Sequence, residues 1–320
     1  MRAIQIDRFG AVPVLKQVPV PRPSPGEVLV RVAACGLNFA DLLMIEGRYQ
    51  ERPEPPITLG MELAGTVAAC GPGVEAPAPG TRVAAMPRAG GLADYVCLPA
   101  ARCVPLPQGM SFEQAAAFQI AYGTSHLALG HRARLQPGET LFVTGAAGGV
   151  GLTAVEIGKR MGARIIASAR GADRLAVAQA AGADVLIDST TPDLREALRQ
   201  HGGVDVVFDC VGGPAFLQAL RATRPEGRLL CIGFAGGEVP QIPANLLLVK
   251  NLSVIGLYFG GYLGFRPDVL ADSMTTLFRW FAEGGLRPHI SHVLPLDRTA
   301  EGLELLRSRS ATGKVVITLP

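Results

Sequence analysis

From Glu139 onward the chain repeats one pattern: a short, continuous apolar run, a glycine turn, then a segment of helical periodicity. The apolar runs are LFVTG (141–145), RIIAS (164–168), DVLID (184–188), VDVVFD (204–209), RLLCIG (228–233) and LSVIG (252–256). The stretches between them, such as Ala172–Ala181 and Asp193–His201, read as helices. Strands that are apolar on both faces and alternate with helices are what a parallel sheet covered on both sides requires. Six of them predict a doubly wound α/β sheet.

The first hundred residues follow a different rule. Short strand-like runs at Glu27–Ala33, Leu63–Ala69, Arg82–Met86 and Ala93–Leu98 are separated by turn sequences such as GPGV (71–74) and PGTR (79–82), which predicts an irregular β-rich module. Ser111 followed by Gln114 is a capping box and marks a helix start. After about residue 262 the strand–helix alternation stops. An amphipathic helix over Asp268–Glu283, the strand HISHVLPL, a short helix and the strand KVVITL then predict a return to the first module. The expected organisation is a β-rich domain over 1–118, a Rossmann domain over 119–262 and a returning segment over 263–320. There is no internal repeat and no low-complexity tract.

Composition narrows the function classes. With 320 residues, 48% hydrophobic and 18% charged, the chain can bury a substantial core and is not disordered. Its net charge is +3, and its Lys and Arg are scattered singly, which argues against nucleic acid as a partner. The opening MRAIQIDRFG has no apolar core of a secretory signal. The longest apolar stretch, Leu141–Gly158, is interrupted by Thr144, Thr153, Glu156 and a run of glycines, so it reads as a ligand loop and not a membrane span. Six dispersed cysteines without a C-x-x-C pair read as reduced thiols, and a cytoplasmic location is expected.

The strongest local signal is LFVTGAAGGVGLTAVEIGKRMGA, a strand running through a glycine turn into a helix. Ala146-x-Gly148-x-x-Gly151 is a variant of the dinucleotide fingerprint with alanine in the first glycine's place. Ala147, Gly148, Gly149 and Val150 would then bring backbone N–H groups to a pyrophosphate on the positive end of the helix. The second strand ends in Ser168, Ala169 and Arg170, with Arg174 following, where an NAD-binding domain carries an acid. A serine hydroxyl and guanidinium groups suit a 2′-phosphate, so NADPH is the expected cofactor. Asp173 reads as a residue of the next helix's first turn.

The module order, together with GLNFADLLMIEGRY (36–49), LGMELAGTV (59–67), GAAGGVGLTA (145–154), FDCVGG (208–213) and TGKVVI (312–317), resembles the medium-chain dehydrogenase/reductase superfamily. Within it the chain is most similar to the zinc-free quinone oxidoreductases, the group of zeta-crystallin. The resemblance implies a GroES-like β-domain in two sequence pieces around the Rossmann domain. Where zinc alcohol dehydrogenases carry a ligand cysteine this chain has Asn38, and where they carry a ligand histidine it has Met61; the four-cysteine lobe is also missing. No zinc site is therefore expected. Without a Lewis acid to stabilise an alkoxide, the favoured chemistry is hydride donation to an acceptor that delocalises charge, a quinone or a conjugated carbonyl.

By resemblance, Asn38 and Tyr49 are the catalytic pair, lining an acceptor pocket beside the nicotinamide and between the domains. On residue type alone, the alternative for Asn38 is a turn-forming side chain and for Tyr49 a loop aromatic packed on the β-module. The resemblance also assigns Thr124, Phe234, Leu257 and Lys314 to the cofactor, and places Tyr122 on the helix passing the nicotinamide end. It implies a homodimer joined through the edge strand in LSVIGLYF (252–259). Three functions stay open: an NADPH:quinone oxidoreductase, an enoyl or 2-alkenal reductase, and a non-catalytic NADPH-binding protein.

Overall fold

The computed structural model describes residues 1–319. The chain divides into two compact units, Met1–Ile120 together with the chain from Pro288 on, and Ala121–Arg287.

In the first unit the elements are β1 (Arg2–Ile6), β2 (Val14–Gln17), β3 (Glu27–Leu37), α1 (Phe39–Ile45), β4 (Ile57–Thr58), β5 (Glu62–Cys70), β6 (Arg82–Ala85), β7 (Tyr95–Pro99), β8 (Cys103–Pro105) and α2 (Phe112–Ala116). The helix α3 (Gln119–His126) carries the chain across the division. β3 organises this unit. Its Val28, Val30 and Val32 alternate inward, as period-two burial demands, and the strand pairs with β5 and β7. Gly36 near its end is required by packing, since a Cβ there would sit 2.1 Å from the Ala116 carbonyl oxygen. The expected capping box forms, with Ser111 Oγ accepting from Gln114 N at 3.1 Å and the Gln114 side chain accepting from Ser111 N at 3.0 Å.

The second unit holds β9 (Thr140–Thr144), α4 (Gly149–Arg160), β10 (Arg164–Ala169), α5 (Ala172–Ala180), β11 (Val185–Asp188), α6 (Leu194–Gln200), β12 (Val204–Asp209), α7 (Gly213–Ala222), β13 (Thr223–Cys231), α8 (Ala244–Lys250), β14 (Ser253–Gly256), α9 (Tyr262–Phe265) and α10 (Pro267–Ala282). Its six strands form one parallel sheet in the order β11-β10-β9-β12-β13-β14. This is the doubly wound sheet that the apolar runs predict, with its topological switch point between β9 and β12. Back in the first unit, β15 (Ile290–Pro295), α11 (Thr299–Arg307) and β16 (Lys314–Thr318) complete a sheet ordered β15-β16-β3-β5-β6-β8.

Two expectations are corrected, and one sheet is added that the sequence did not announce. The return to the first unit begins at Pro288 and not at 263, because α10 stays with the second unit. Its buried residues Leu270, Met274, Leu277 and Phe278 form an apolar face, and Ser273 Oγ lies 2.8 Å from His126 Nδ1 on α3. The strand expected over Glu27–Ala33 runs on to Leu37, and Asn38 is not in a turn but caps α1. Finally, β1, β2 and β4 make a separate three-stranded sheet that no apolar run announced. Among the described residues no helix is long and apolar enough to cross a membrane.

Candidate active site

In the first unit, four polar side chains from three elements, β5, β16 and the capped start of α1, meet in the interior. Lys314 at the start of β16 is 5% exposed, and Glu62 at the start of β5 is fully buried. The Lys314 ammonium donates to Glu62 Oε1 at 2.8 Å, to Asn38 Oδ1 at 2.8 Å and to the Leu37 carbonyl at 2.7 Å. Asn38 Nδ2 donates in turn to Glu62 Oε1 at 2.9 Å and to the Gly36 carbonyl at 3.2 Å. The other oxygen of Glu62 accepts the Ile120 N–H at 2.9 Å. Because Asn38 receives from an ammonium and gives to a carboxylate, the orientation of its amide is fixed by its partners.

This arrangement changes the standing of two expected residues. All three donors of Lys314 are spent inside the first unit, so none is left for a cofactor; Lys314 is an internal cation paired with Glu62. Asn38 is 8% exposed and both its amide hydrogens are engaged. The 3.2 Å bond to Gly36 is the longer of the two and the easier to exchange.

Asp41, on the first turn of α1, completes the group. Its Oδ2 accepts the backbone N–H of Asn38 at 2.8 Å, whereas its buried Oδ1 makes no hydrogen bond of ordinary geometry, although the backbone of Gly60 is close enough to favour the ionised form. Burial pushes its carboxyl up to about 7, against the lowering effect of the Asn38 N–H and Lys314. Burial also raises the Cys35 thiol well above its ordinary value, and the nearby carboxylates of Asp41 and Glu62 add to the effect. Tyr49 lies beyond α1, half-buried, with its N–H on the Leu43 carbonyl and its ring packed on the first unit's core.

In the second unit the glycine turn does what its sequence suggests. Gly145 takes a φ of +61°, and a Cβ on Gly151 would lie 2.2 Å from the Gly145 carbonyl oxygen, so this close turn needs both glycines. The first helical bond of α4 runs from Leu152 N to Gly148 O at 2.8 Å. The N–H groups of Gly149, Val150 and Gly151 therefore have no acceptor within the helix, as the first turn of a helix dictates. Those donors, backed by a twelve-residue helix, fit a pyrophosphate. Ala147 is buried in the turn leading to them.

Across the switch point, Thr144 Oγ1 at the end of β9 donates to Asp209 Oδ1 at the end of β12, at 2.6 Å. Asp209 is fully buried and also accepts the Gly212 N–H at 2.8 Å, tying the FDCVGG turn to the strand that enters the glycine loop. Phe234 follows β13 and is 40% exposed, and Leu257 follows β14 with its N–H on the Cys231 carbonyl. Thr124 is buried on α3, near Tyr122, whose hydroxyl donates to Glu156 Oε2 at 2.5 Å.

At the end of β10, Ser168 is buried while Arg170 is exposed; Arg174 is half-buried on α5. Asp173 sits in the first turn of α5. The carboxylate missing from β10 has a neighbour on β11: Asp188 accepts the Gly171 N–H at 2.8 Å and both the N–H and hydroxyl of Thr190, at 2.8 and 2.7 Å. These bonds, with Arg170 adding to them, hold its carboxyl below the ordinary range. Asp41, Glu62, Asp188 and Asp209 were not singled out from the sequence, although a lone acid in or ending an apolar strand was a readable signal for Glu62, Asp188 and Asp209. Among the described residues, no three His, Cys, Asp or Glu side chains are grouped as a metal ion would need.

A GroES-like β-unit in two sequence pieces with a dinucleotide-type parallel sheet defines an oxidoreductase of the medium-chain dehydrogenase/reductase family. Residues 24–108 match the family model of the alcohol dehydrogenase GroES-like domain, and residues 149–279 match that of the zinc-binding dehydrogenase domain. The chain is 39% identical over 312 residues to quinone oxidoreductase-like protein 2 of Bos taurus, covering 96% of this chain and 89% of that one. It superposes with a TM-score of 0.89 at 35% identity, over 100% of both chains, on the quinone oxidoreductase of Thermus thermophilus, a structure also known in complex with NADPH. A structure described as an NAD-dependent alcohol dehydrogenase matches over 100% of both chains at 32% identity and a TM-score of 0.92. The chain belongs to the zinc-free quinone oxidoreductase group of that family.

Proposed function

We propose that the protein is an NADPH-dependent, zinc-independent reductase that transfers hydride to a quinone. The observation that carries this reading is the glycine-turn helix of the second unit, whose first three N–H groups have no acceptor within the helix; the first unit separately supplies the buried Asn38–Glu62–Lys314 cluster. Met61 and Asn38 supply no thiolate or imidazole where a zinc enzyme of this family has them. When bound, NADPH supplies the hydride.

The chain's own residues then bind and orient. Gly149, Val150 and Gly151 hold the pyrophosphate, with Ala147 and Gly148 setting the turn, while Thr124, Phe234 and Leu257 border the nicotinamide half. Arg170 and Arg174, with Ser168 behind them, take the 2′-phosphate by charge-assisted bonds. This favours NADPH over the NAD of the alcohol dehydrogenase neighbour. Asn38 exchanges its 3.2 Å bond to Gly36 for one to the acceptor oxygen, and Tyr49 supplies a second donor. A quinone takes up hydride readily because the resulting anion is spread over its ring, so two neutral donors suffice without a Lewis acid.

The test is a panel of an ortho-quinone, a para-quinone, 2-hexenal and crotonyl-CoA, followed by loss of NADPH absorbance. Faster turnover of a quinone supports the proposal. Preference for 2-hexenal or crotonyl-CoA assigns an enoyl-type reductase instead, and tight NADPH binding with no oxidation by any acceptor would make this a binding protein. The open edge at β14, next to the exposed Leu248 and Val249 of α8, supports a homodimer through that edge.

A further inference from the structure

The role of Asp41 is not explained by capping alone. A short helix needs an acceptor for its cap N–H, which a neutral side chain could supply, yet here a carboxylate is buried with one oxygen making no hydrogen bond of ordinary geometry. The titratable groups facing it are Glu62 from β5, Cys35 from β3 and Lys314 from β16, and the backbone of Gly60, just before β5, lies beside it. Lys314 is bonded to Glu62 at 2.8 Å, so one cation serves two carboxylates and Asp41 is the surplus acid of the cluster. The 2.8 Å hydrogen bond that Asp41 accepts comes from the N–H of Asn38, the residue proposed to meet the acceptor.

We propose that Asp41 is a positioning residue of the acceptor site, its ionised carboxylate fixing the Asn38 backbone through its N–H so that the amide oriented by Lys314 and Glu62 is held in one place. This rests on the reductase reading above. Protonation of Asp41 weakens that acceptor, loosens Asn38 and slows turnover without touching the donors that hold the cofactor. The titration lies near neutrality because burial raises this carboxyl to about 7. No proton passes from Asp41 to substrate in this scheme; it acts only through Asn38.

The experiment is the pH dependence of kcat with a quinone acceptor, between about pH 6 and 8, for the unmodified protein, D41N and D41A. The unmodified protein is expected to lose several-fold in kcat towards the acid end. D41N, which keeps an acceptor for the Asn38 N–H but cannot ionise, is expected to show a flat profile. D41A is expected to lose about ten- to hundred-fold in kcat, as misplacement of a reacting contact does, with KM for NADPH changed by less than a factor of two. Should D41N fail to fold, D41S takes its place as the non-ionising acceptor. A flat profile for the unmodified protein, or a persisting transition in D41N or D41S, overturns the inference while leaving the reductase reading intact. Absence of NADPH oxidation by every acceptor overturns both.

Discussion

Replacing Lys314 by methionine tests the central electrostatic feature of the first unit. Methionine keeps most of the apolar stem and removes the ammonium, with its bonds to Leu37 O, Asn38 Oδ1 and Glu62 Oε1. Glu62 has no exposed surface, so its carboxylate would remain buried with only the Asn38 amide and the Ile120 N–H for support. Breaking a buried pair in this way costs about 3–5 kcal/mol, far more than the pair is worth against a neutral replacement, because a charge is left uncompensated. Urea unfolding of the unmodified protein, K314M, E62Q and K314M/E62Q would measure it. K314M is expected to lose about 3–5 kcal/mol. The double variant is expected to be more stable than the sum of the single losses predicts by at least about 1 kcal/mol, since it strands no charge. A loss below about 1 kcal/mol for K314M, the range of exposed ion pairs, or strict additivity in the cycle, would refute the claim that Lys314 is an internal counter-ion.

Other expectations follow from the same geometry. Asp41 ionises more readily in the unfolded chain, at 3.8, than in the folded one, at about 7, so its contribution to stability is intact below the lower value and lost as pH rises through the interval. Relative to D41N, the unmodified protein should therefore lose about 4 kcal/mol of unfolding free energy between those pH values, at about 1.36 kcal/mol per unit; a constant difference would contradict the burial argument. Replacing Arg170 and Arg174 together by alanine should raise KM for NADPH much more than for NADH, and equal use of the two cofactors by the unmodified protein would count against the phosphate assignment. Asn38→Ala and Tyr49→Phe should lower kcat by about 10- to 1000-fold, less with quinones than with enones, and unchanged kcat would remove both from the chemistry. Activity should survive prolonged chelation; stoichiometric zinc lost together with activity would contradict the zinc-free reading.

Periodicity alone determined the strand–helix alternation of the second unit. Each of its six parallel strands appears in the sequence as a continuous apolar run, because a parallel sheet is covered on both faces, and glycine turns mark where helices begin. The glycine cradle was legible for the same local reason, because turn and helix are adjacent in sequence and the need for Gly145 and Gly151 comes from the backbone itself. The extent of that unit was not legible, since α10 belongs to it through an apolar face packed over α3 and periodicity does not say what such a face covers. The polar cluster of the first unit was the least legible of all. Lys314 and Glu62 are 252 positions apart, and only the pairing of β16 and β5 with β3 brings them together. A lysine beginning a strand looks like a surface residue or a ligand for phosphate. Tertiary structure decided otherwise by burying it against three oxygens, because an ammonium removed from water must find acceptors and only the folded sheet supplies them.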